Sequence, residues 1–171
     1  KKVDSEKITA YVDNAITEPL MAAMPAKGKI VKEEQNQGAT VWTLSNGAKV
    51  VVKPTKFKDD EILLSGFAPG GSSVIDNKYI SEIKVLDKIF EAIMGESALS
   101  AGGLGKFSKT DLTKVLSGKN VSMNFSIDTY NEAISGKSNV KDLETAMQLL
   151  YLNFTDVRKD QSAYTSFATR T

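Results

Sequence analysis

The run Val121-Ser122-Met123-Asn124-Phe125-Ser126-Ile127-Asp128 alternates apolar and polar side chains without a break. Successive side chains of a strand point to opposite faces, so this run offers one face to a core and one to solvent. Parallel strands are covered on both faces and read as continuous apolar runs; a half-buried strand of this kind points to an antiparallel sheet. A partner strand is expected around Tyr130 to Ser135.

Downstream, Ser138 or Asn139 is placed to cap a helix whose Val140, Leu143, Met147, Leu150 or Tyr151, and Phe154 share one face. After Arg158-Lys159-Asp160 the pattern turns helical again through Ala163, Tyr164 and Phe167. No terminating glycine precedes Arg170-Thr171, so the chain reads as part of a larger unit.

Upstream, Val41 to Leu44 and Lys49 to Val52 flank Ser45-Asn46-Gly47. An Asn-Gly pair supplies the positive backbone angles of a tight hairpin. Pro54 stops the second strand by removing a ladder donor. The charges from Lys56 to Glu61 read as a solvated loop, and a third strand, Glu61 to Ala68, ends at Pro69-Gly70-Gly71. Capped by Asp76 or Asn77, residues Ile80, Ile83, Leu86, Ile89 or Phe90, and Ile93 recur at helical spacing over Asn77 to Met94. Gly102, Gly103 and Gly105 then read as a flexible connector. Ser108, with Asp111 three residues on, starts a short helix through Leu112, Val115 and Leu116 that Ser117-Gly118 closes. At the N-terminus, residues 5–24 carry a helical pattern bent or ended near Pro19, and Pro25 to Ala39 reads as an extended connector.

This order predicts an α+β fold, an antiparallel β-sheet covered by helices on one face. Residues 1–38 form an inter-repeat helix and linker; residues 39–171 form a single α+β repeat, truncated at its C-terminal end. A chain of 171 residues fits one such domain.

With 22 basic and 21 acidic residues and mixed signs along the chain, there is no electrostatic footprint for nucleic acid. The apolar runs are far shorter than the roughly 20 residues of a membrane-spanning helix. The chain contains no cysteine and no histidine. This removes disulfides and both the nitrogen and sulfur ligands that zinc prefers.

Other candidate sites fail on spacing. Gly102-Gly103-Leu104-Gly105-Lys106 resembles a phosphate loop, but such a loop needs glycine where Ser100 stands and Ser or Thr where Phe107 stands. Asp59-Asp60-Glu61 lacks the alternate spacing and glycine turn of a calcium loop. Ser81-Glu82-Ile83-Lys84 has the Ser-x-x-Lys form without its companion motifs. Asn120, Asn124 and Asn153 head glycosylation patterns that matter only in a secretory context. Trp42, Phe125, Tyr130, Tyr151 and Phe154 read as core packing. No catalytic, cofactor-binding or metal residue is assigned.

The run from Val41 to Thr55, Val-Trp-Thr-Leu-Ser-Asn-Gly-Ala-Lys-Val-Val-Val-Lys-Pro-Thr, resembles the opening hairpin of a domain in the insulinase/pitrilysin-type zinc peptidases. The likeness continues through Phe57 to Leu64, Pro69-Gly70-Gly71-Ser72-Ser73, Gly105-Lys106-Phe107-Ser108, Leu116-Ser117-Gly118-Lys119, and Gly136-Lys137-Ser138 to Leu143-Glu144. Roughly residues 25–165 are covered, with the bacterial two-repeat members most similar. The resemblance implies paired repeats closing around an unfolded peptide, with zinc held by a His-x-x-Glu-His motif on the helix after the third strand of some repeats. The corresponding stretch here, Asn77 to Met94, has no histidine, and no arginine and tyrosine pair for polarising a carbonyl stands between Tyr130 and Glu144. What is implied is therefore a non-catalytic, C-terminal-type repeat. Its expected partners are a zinc-bearing catalytic repeat, on the same or another chain, and an unfolded peptide; its expected location is the periplasm or cell envelope. The alternative is an inert scaffold module of the same fold.

Overall fold

The computed structural model of the chain describes residues 16–74 and 102–169. The stretch from Asn77 to Met94, the Ser81 to Lys84 motif and the first part of the N-terminal helical pattern lie outside these residues.

Two antiparallel three-stranded sheets are present among the described residues. Strands β1 (Ile30–Asn36), β2 (Ala39–Leu44) and β3 (Lys49–Val52) form one in that order. Strands β4 (Ile62–Pro69), β5 (Val121–Ile127) and β6 (Asn131–Ser138) form the other, in the order β4-β6-β5. The α-helices among the described residues are α1 (Lys109–Val115), α2 (Leu143–Thr155) and α3 (Gln161–Ala168), and a 3-10 turn spans Gly71–Val74. The α+β class stands; the strands divide into two sheets where one was expected.

The hairpin of β2 and β3 forms with Thr43 opposite Lys49, but Asn46 does not adopt a positive φ. Its Oδ1 instead accepts from the Ala48 N–H at 3.1 Å, an Asx turn, and only Gly47 is left-handed, with φ 87°. The adjacent positive angles lie one hairpin earlier, at Gln37 (φ 49°) and Gly38 (φ 75°), between the paired residues Asn36 and Ala39. That two-residue turn has the twist a hairpin prefers, and it turns the presumed connector into β1. All seven residues of β1 are exposed, so the strand has no alternation to read. Its ladder is supplemented by side chains: the Trp42 indole N–H donates to Glu33 and the Gln35 amide to Thr40, each at 2.9 Å.

The core sits between α2, β5 and the Gly102–Ser108 loop. Leu104, Phe107, Leu149 and Leu152 are buried together with Leu20, and Val121, Met123, Leu112, Val115 and Val157 pack against them. Leu20 comes from residues 16–24, which are irregular rather than helical. Pro19 there removes a donor and ends any preceding helix.

The buried face of α2 corrects the sequence reading. Thr145, Ala146, Leu149 and Leu152 face the core, while Val140 (70% exposed), Met147, Tyr151 and Phe154 point outward. The shift originates at the N-terminus. Asn139 Oδ1 accepts from the Asp142 N–H at 2.7 Å and closes a separate turn, so the helix starts only at Leu143. Asp142 is itself fixed by accepting from the Asn120 N–H at 2.8 Å. A polar Thr145 in the buried stripe hides that stripe from a count of apolar residues.

Helix α1 begins as expected. Ser108 Oγ accepts from the Asp111 N–H at 3.1 Å and donates to the Asp111 carboxylate at 2.6 Å. For a helix this short the cap is a large part of its local stability. Ser108→Ala is expected to cost about 0.5–2 kcal/mol in urea unfolding; an unchanged midpoint would show that tertiary packing alone holds α1.

Candidate peptide-binding surface

In the sheet of β4, β6 and β5, the register gives each face its residues. Leu64-Gly136-Met123 and Gly66-Ile134-Phe125 lie across the strands on the side covered by α2. The rows Leu63-Lys137-Ser122, Ser65-Ser135-Asn124 and Phe67-Ala133-Ser126 lie on the other. Among the described residues no helix covers this second face. A shallow concavity of about 300 Å³ lies at this sheet, lined by Ser65, Phe67, Asn124, Ser126, Ala133 and Ser135 of this face together with the intervening Gly66, Phe125 and Ile134. Small hydroxyl and amide side chains leave room for a main chain and offer it donors and acceptors. No single residue in sequence announces this surface; only the register of three strands assembles it.

The Gly102–Lys106 segment is neither a phosphate cradle nor a flexible connector. Leu104 bridges to Phe107 and to Val157, the Gly105 N–H donates to the Asp156 carbonyl at 2.8 Å, and Arg158 Nη1 donates to the Gly102 carbonyl at 3.1 Å. Lys106 pairs with Glu18 and lies 5.2 Å from the Phe107 ring centroid. The glycines let two backbones touch; the loop is a packing node.

The acidic run Asp59-Asp60-Glu61 is occupied with structural work. Glu61 takes Lys137 at 2.6 Å and Lys58 at 3.2 Å, and its carboxyl is held below its usual value first by the Lys137 contact and then by Lys58. Asp60 accepts from the Val140 N–H at 3.3 Å. No group of three or more His, Cys, Asp or Glu gathers at metal-binding distance among the described residues. With no histidine or cysteine in the sequence, this chain's own donors do not fit a zinc site.

Of the aromatics assigned to the core, only part are there. Trp42 is half-buried and Phe125 meets Phe154 edge-on at 5.9 Å, but Tyr130 and Phe154 are largely exposed and Tyr151 is 41% exposed. Asn153 donates to the Leu149 carbonyl within α2, and Asn124 stands on the open face.

One carboxyl is strongly perturbed, and its role is structural. Asp160 Oδ1 accepts from the Ser162 hydroxyl at 2.6 Å and from the Ser162 and Ala163 N–H groups at 3.0 Å, capping α3, while Arg158 binds its other oxygen at 2.8 Å. Led by the Ser162 hydroxyl, these contacts lower its pKa from 3.8 to about 2. A depressed carboxyl stabilises the fold above its unfolded pKa, and that contribution is lost as pH falls through the folded value. The cap is therefore expected to persist at pH 4 and to fail near pH 2. A carboxyl-carbon NMR titration reads this directly, and a midpoint near 4 would refute it.

No protein-family model matches the chain. Over 157 residues it is 30% identical to an Arabidopsis thaliana protein described as "Zinc protease PQQL-like", covering 90% of this chain and 13% of that protein. In structure it matches the periplasmic protease PqqL from Escherichia coli, with a TM-score of 0.73 and 20% identity over 97% of this chain and 18% of that one. It also matches a mutant of the ferredoxin protease FusC, in complex with Arabidopsis ferredoxin, with a TM-score of 0.72 and 15% identity over 93% of this chain and 17% of that one. The chain thus spans less than a fifth of each of these three proteins. Sequence likeness along most of its length, joined to a shared α+β fold, relates this chain to a segment of the insulinase/pitrilysin-type zinc proteases.

Proposed function

We propose that this chain is a non-catalytic repeat of a zinc protease, forming part of the wall of a peptide-holding chamber while a second repeat carries zinc and hydrolyses the peptide bond. The observation that carries this reading is a contrast. The chain is related to zinc proteases, yet its 171 residues include neither histidine nor cysteine. What it offers in place of metal ligands is an open sheet face with small polar side chains and outer strands. Main-chain pairing with a bound peptide needs only backbone donors and acceptors, so it operates without sequence-specific side chains. Residues 39–171 are the repeat; residues 1–38 lead into it, with β1 added to its first hairpin. The periplasmic PqqL, which this chain resembles in fold, supports an envelope location.

The test uses the native full-length polypeptide that contains these residues. Bound zinc, and cleavage of an unfolded protein that a chelator abolishes, are expected. A polypeptide with neither zinc nor cleavage, co-purifying with a partner in fixed stoichiometry, would establish the inert-scaffold reading instead.

A further inference from the structure

Asn46-Gly47 is the only Asn-Gly pair in the sequence, and it stands at the tip of the β2-β3 hairpin, where Ser45 to Ala48 are all exposed. A Cβ built at Gly47 would meet nothing within 4 Å, so neither a side chain nor a neighbour screens the Gly47 nitrogen from the Asn46 carboxamide. That carboxamide is already polarised: its Oδ1 accepts from the Ala48 N–H at 3.1 Å, which draws electrons from Cγ and makes it a better electrophile. Its Nδ2, the group to be expelled, has no hydrogen-bond partner among the described residues.

The turn restrains this chemistry. The Gly47 N–H donates to the Leu44 carbonyl at 2.9 Å and the Leu44 N–H to the Ala48 carbonyl at 2.8 Å, so Ser45 and Asn46 are the central residues of a turn that left-handed Gly47 completes. The Ser45 N–H donates to the Lys29 carbonyl at 2.9 Å and ties the same turn to the residue before β1. The nucleophilic nitrogen is therefore engaged, and its attack on Cγ requires that the bond to Leu44 open and Asn46 rotate about ψ. Gln37-Gly38, in the exposed turn between β1 and β2, is a built-in comparison. Its longer side chain has to close a larger ring and gives up more rotamer freedom in doing so.

We infer that Asn46 is a site of spontaneous deamidation, with the Gly47 backbone nitrogen as nucleophile, water as the second reactant and the β2-β3 turn as the brake. The Gly47 nitrogen bonds to Asn46 Cγ, the Cγ–Nδ2 bond breaks, and ammonia leaves with the proton from Gly47. Water then opens the succinimide at either carbonyl, and nothing is oxidised or reduced. Opening at Cγ restores the main chain with an aspartate at position 46; opening at the main-chain carbonyl gives an isoaspartate whose backbone runs through Cγ. The fold distinguishes the two products. An aspartate keeps an acceptor for the Ala48 N–H and makes that bond charge-assisted. An isoaspartate adds a methylene to the main chain between Leu44 and Ala48, so the two bonds that close the turn no longer fit together, and the pairing of Thr43 with Lys49 loosens.

The test holds the 171-residue chain in mildly alkaline buffer, digests it at acid pH, where the ring closes slowly, and maps the products by mass spectrometry. Asn46 is expected to convert before any other asparagine and before Gln37. Conversion should be about fivefold slower in the folded chain than in guanidinium, the scale of the one hydrogen bond that must open. Enzymatic carboxyl methylation, which marks isoaspartate and not aspartate, should label the product. Asn46→Asp should keep the thermal midpoint of the unmodified chain, whereas the isoaspartyl fraction, separated by ion exchange, should melt lower. Another asparagine reacting first, equal rates with and without guanidinium, or an isoaspartyl fraction as stable as Asn46→Asp would each overturn the inference.

Discussion

Replacing Gly103 with alanine is expected to cost the fold about 3–5 kcal/mol, the upper range for a single substitution. Gly103 has φ 92°, where an L side chain is strained, and a Cβ built on it would overlap the Phe107 carbonyl oxygen. The atoms behind that oxygen cannot retreat. Ser108 C and Lys109 N stand 2.7 and 2.9 Å from the same Cβ, at the start of α1, and the Phe107 carbonyl already accepts from the Leu104 N–H. Relief would require moving α1 away from Leu104, a buried side chain of the core. Gly118 is the internal control. Its φ of 77° is also positive, but a Cβ there meets nothing within 4 Å, so alanine should cost only the left-handed strain, about 1–2 kcal/mol. Urea unfolding of the two variants separates these terms. Equal losses at 103 and 118 would mean that the loop yields and is not the packing node described.

The second large effect sets neighbouring residues of one helix against each other. Leu152→Ala is expected to cost about 2–5 kcal/mol, through lost burial and the cavity left among Leu104, Phe107 and Leu149. Tyr151→Ala should change stability by less than about 0.5 kcal/mol, the usual scale for an exposed site. Both positions are helical and alanine is the best helix former, so propensity does not separate them. The difference reads the orientation of α2 alone. If Tyr151→Ala proved the costlier change, the apolar stripe chosen from sequence would be the buried one after all.

These cases show what the sequence made legible. Strand β5 was plain because each alternate residue changes polarity, and Ser108 with Asp111 marked a helix start because the capping bond is local. Strand β1 had no such signal: its order comes from Gln37-Gly38 and from a ladder made with β2, not from burial. On α2 the apolar residues cover more than one face, so periodicity allowed two stripes, and the choice fell to the local turn at Asn139 and the tertiary contact of Asp142 with Asn120. The glycine loop looked flexible because glycine is a property of the chain, whereas the backbones that crowd it arrive from Phe107 and Arg158. The absence of histidine and cysteine, the nitrogen and sulfur donors of zinc, could be read from composition alone. The open face could not, because it exists only once three strands have found their register.

Leu20 also bears on the order in which the molecule assembles. Its core partners Leu149 and Leu152 lie near the opposite end of the sequence, whereas β5 and β6 are joined by a three-residue turn and α2 follows directly. Closing a long loop costs more entropy than closing a short one, and little ordered backbone accompanies residues 16–24 to offset it. The β5-β6 hairpin and α2 should therefore gain protection first in pulse-labelled hydrogen exchange, with the segment around Leu20 docking last onto a nearly finished core. Simultaneous protection of both would show that this strap takes part in the nucleus instead of sealing it.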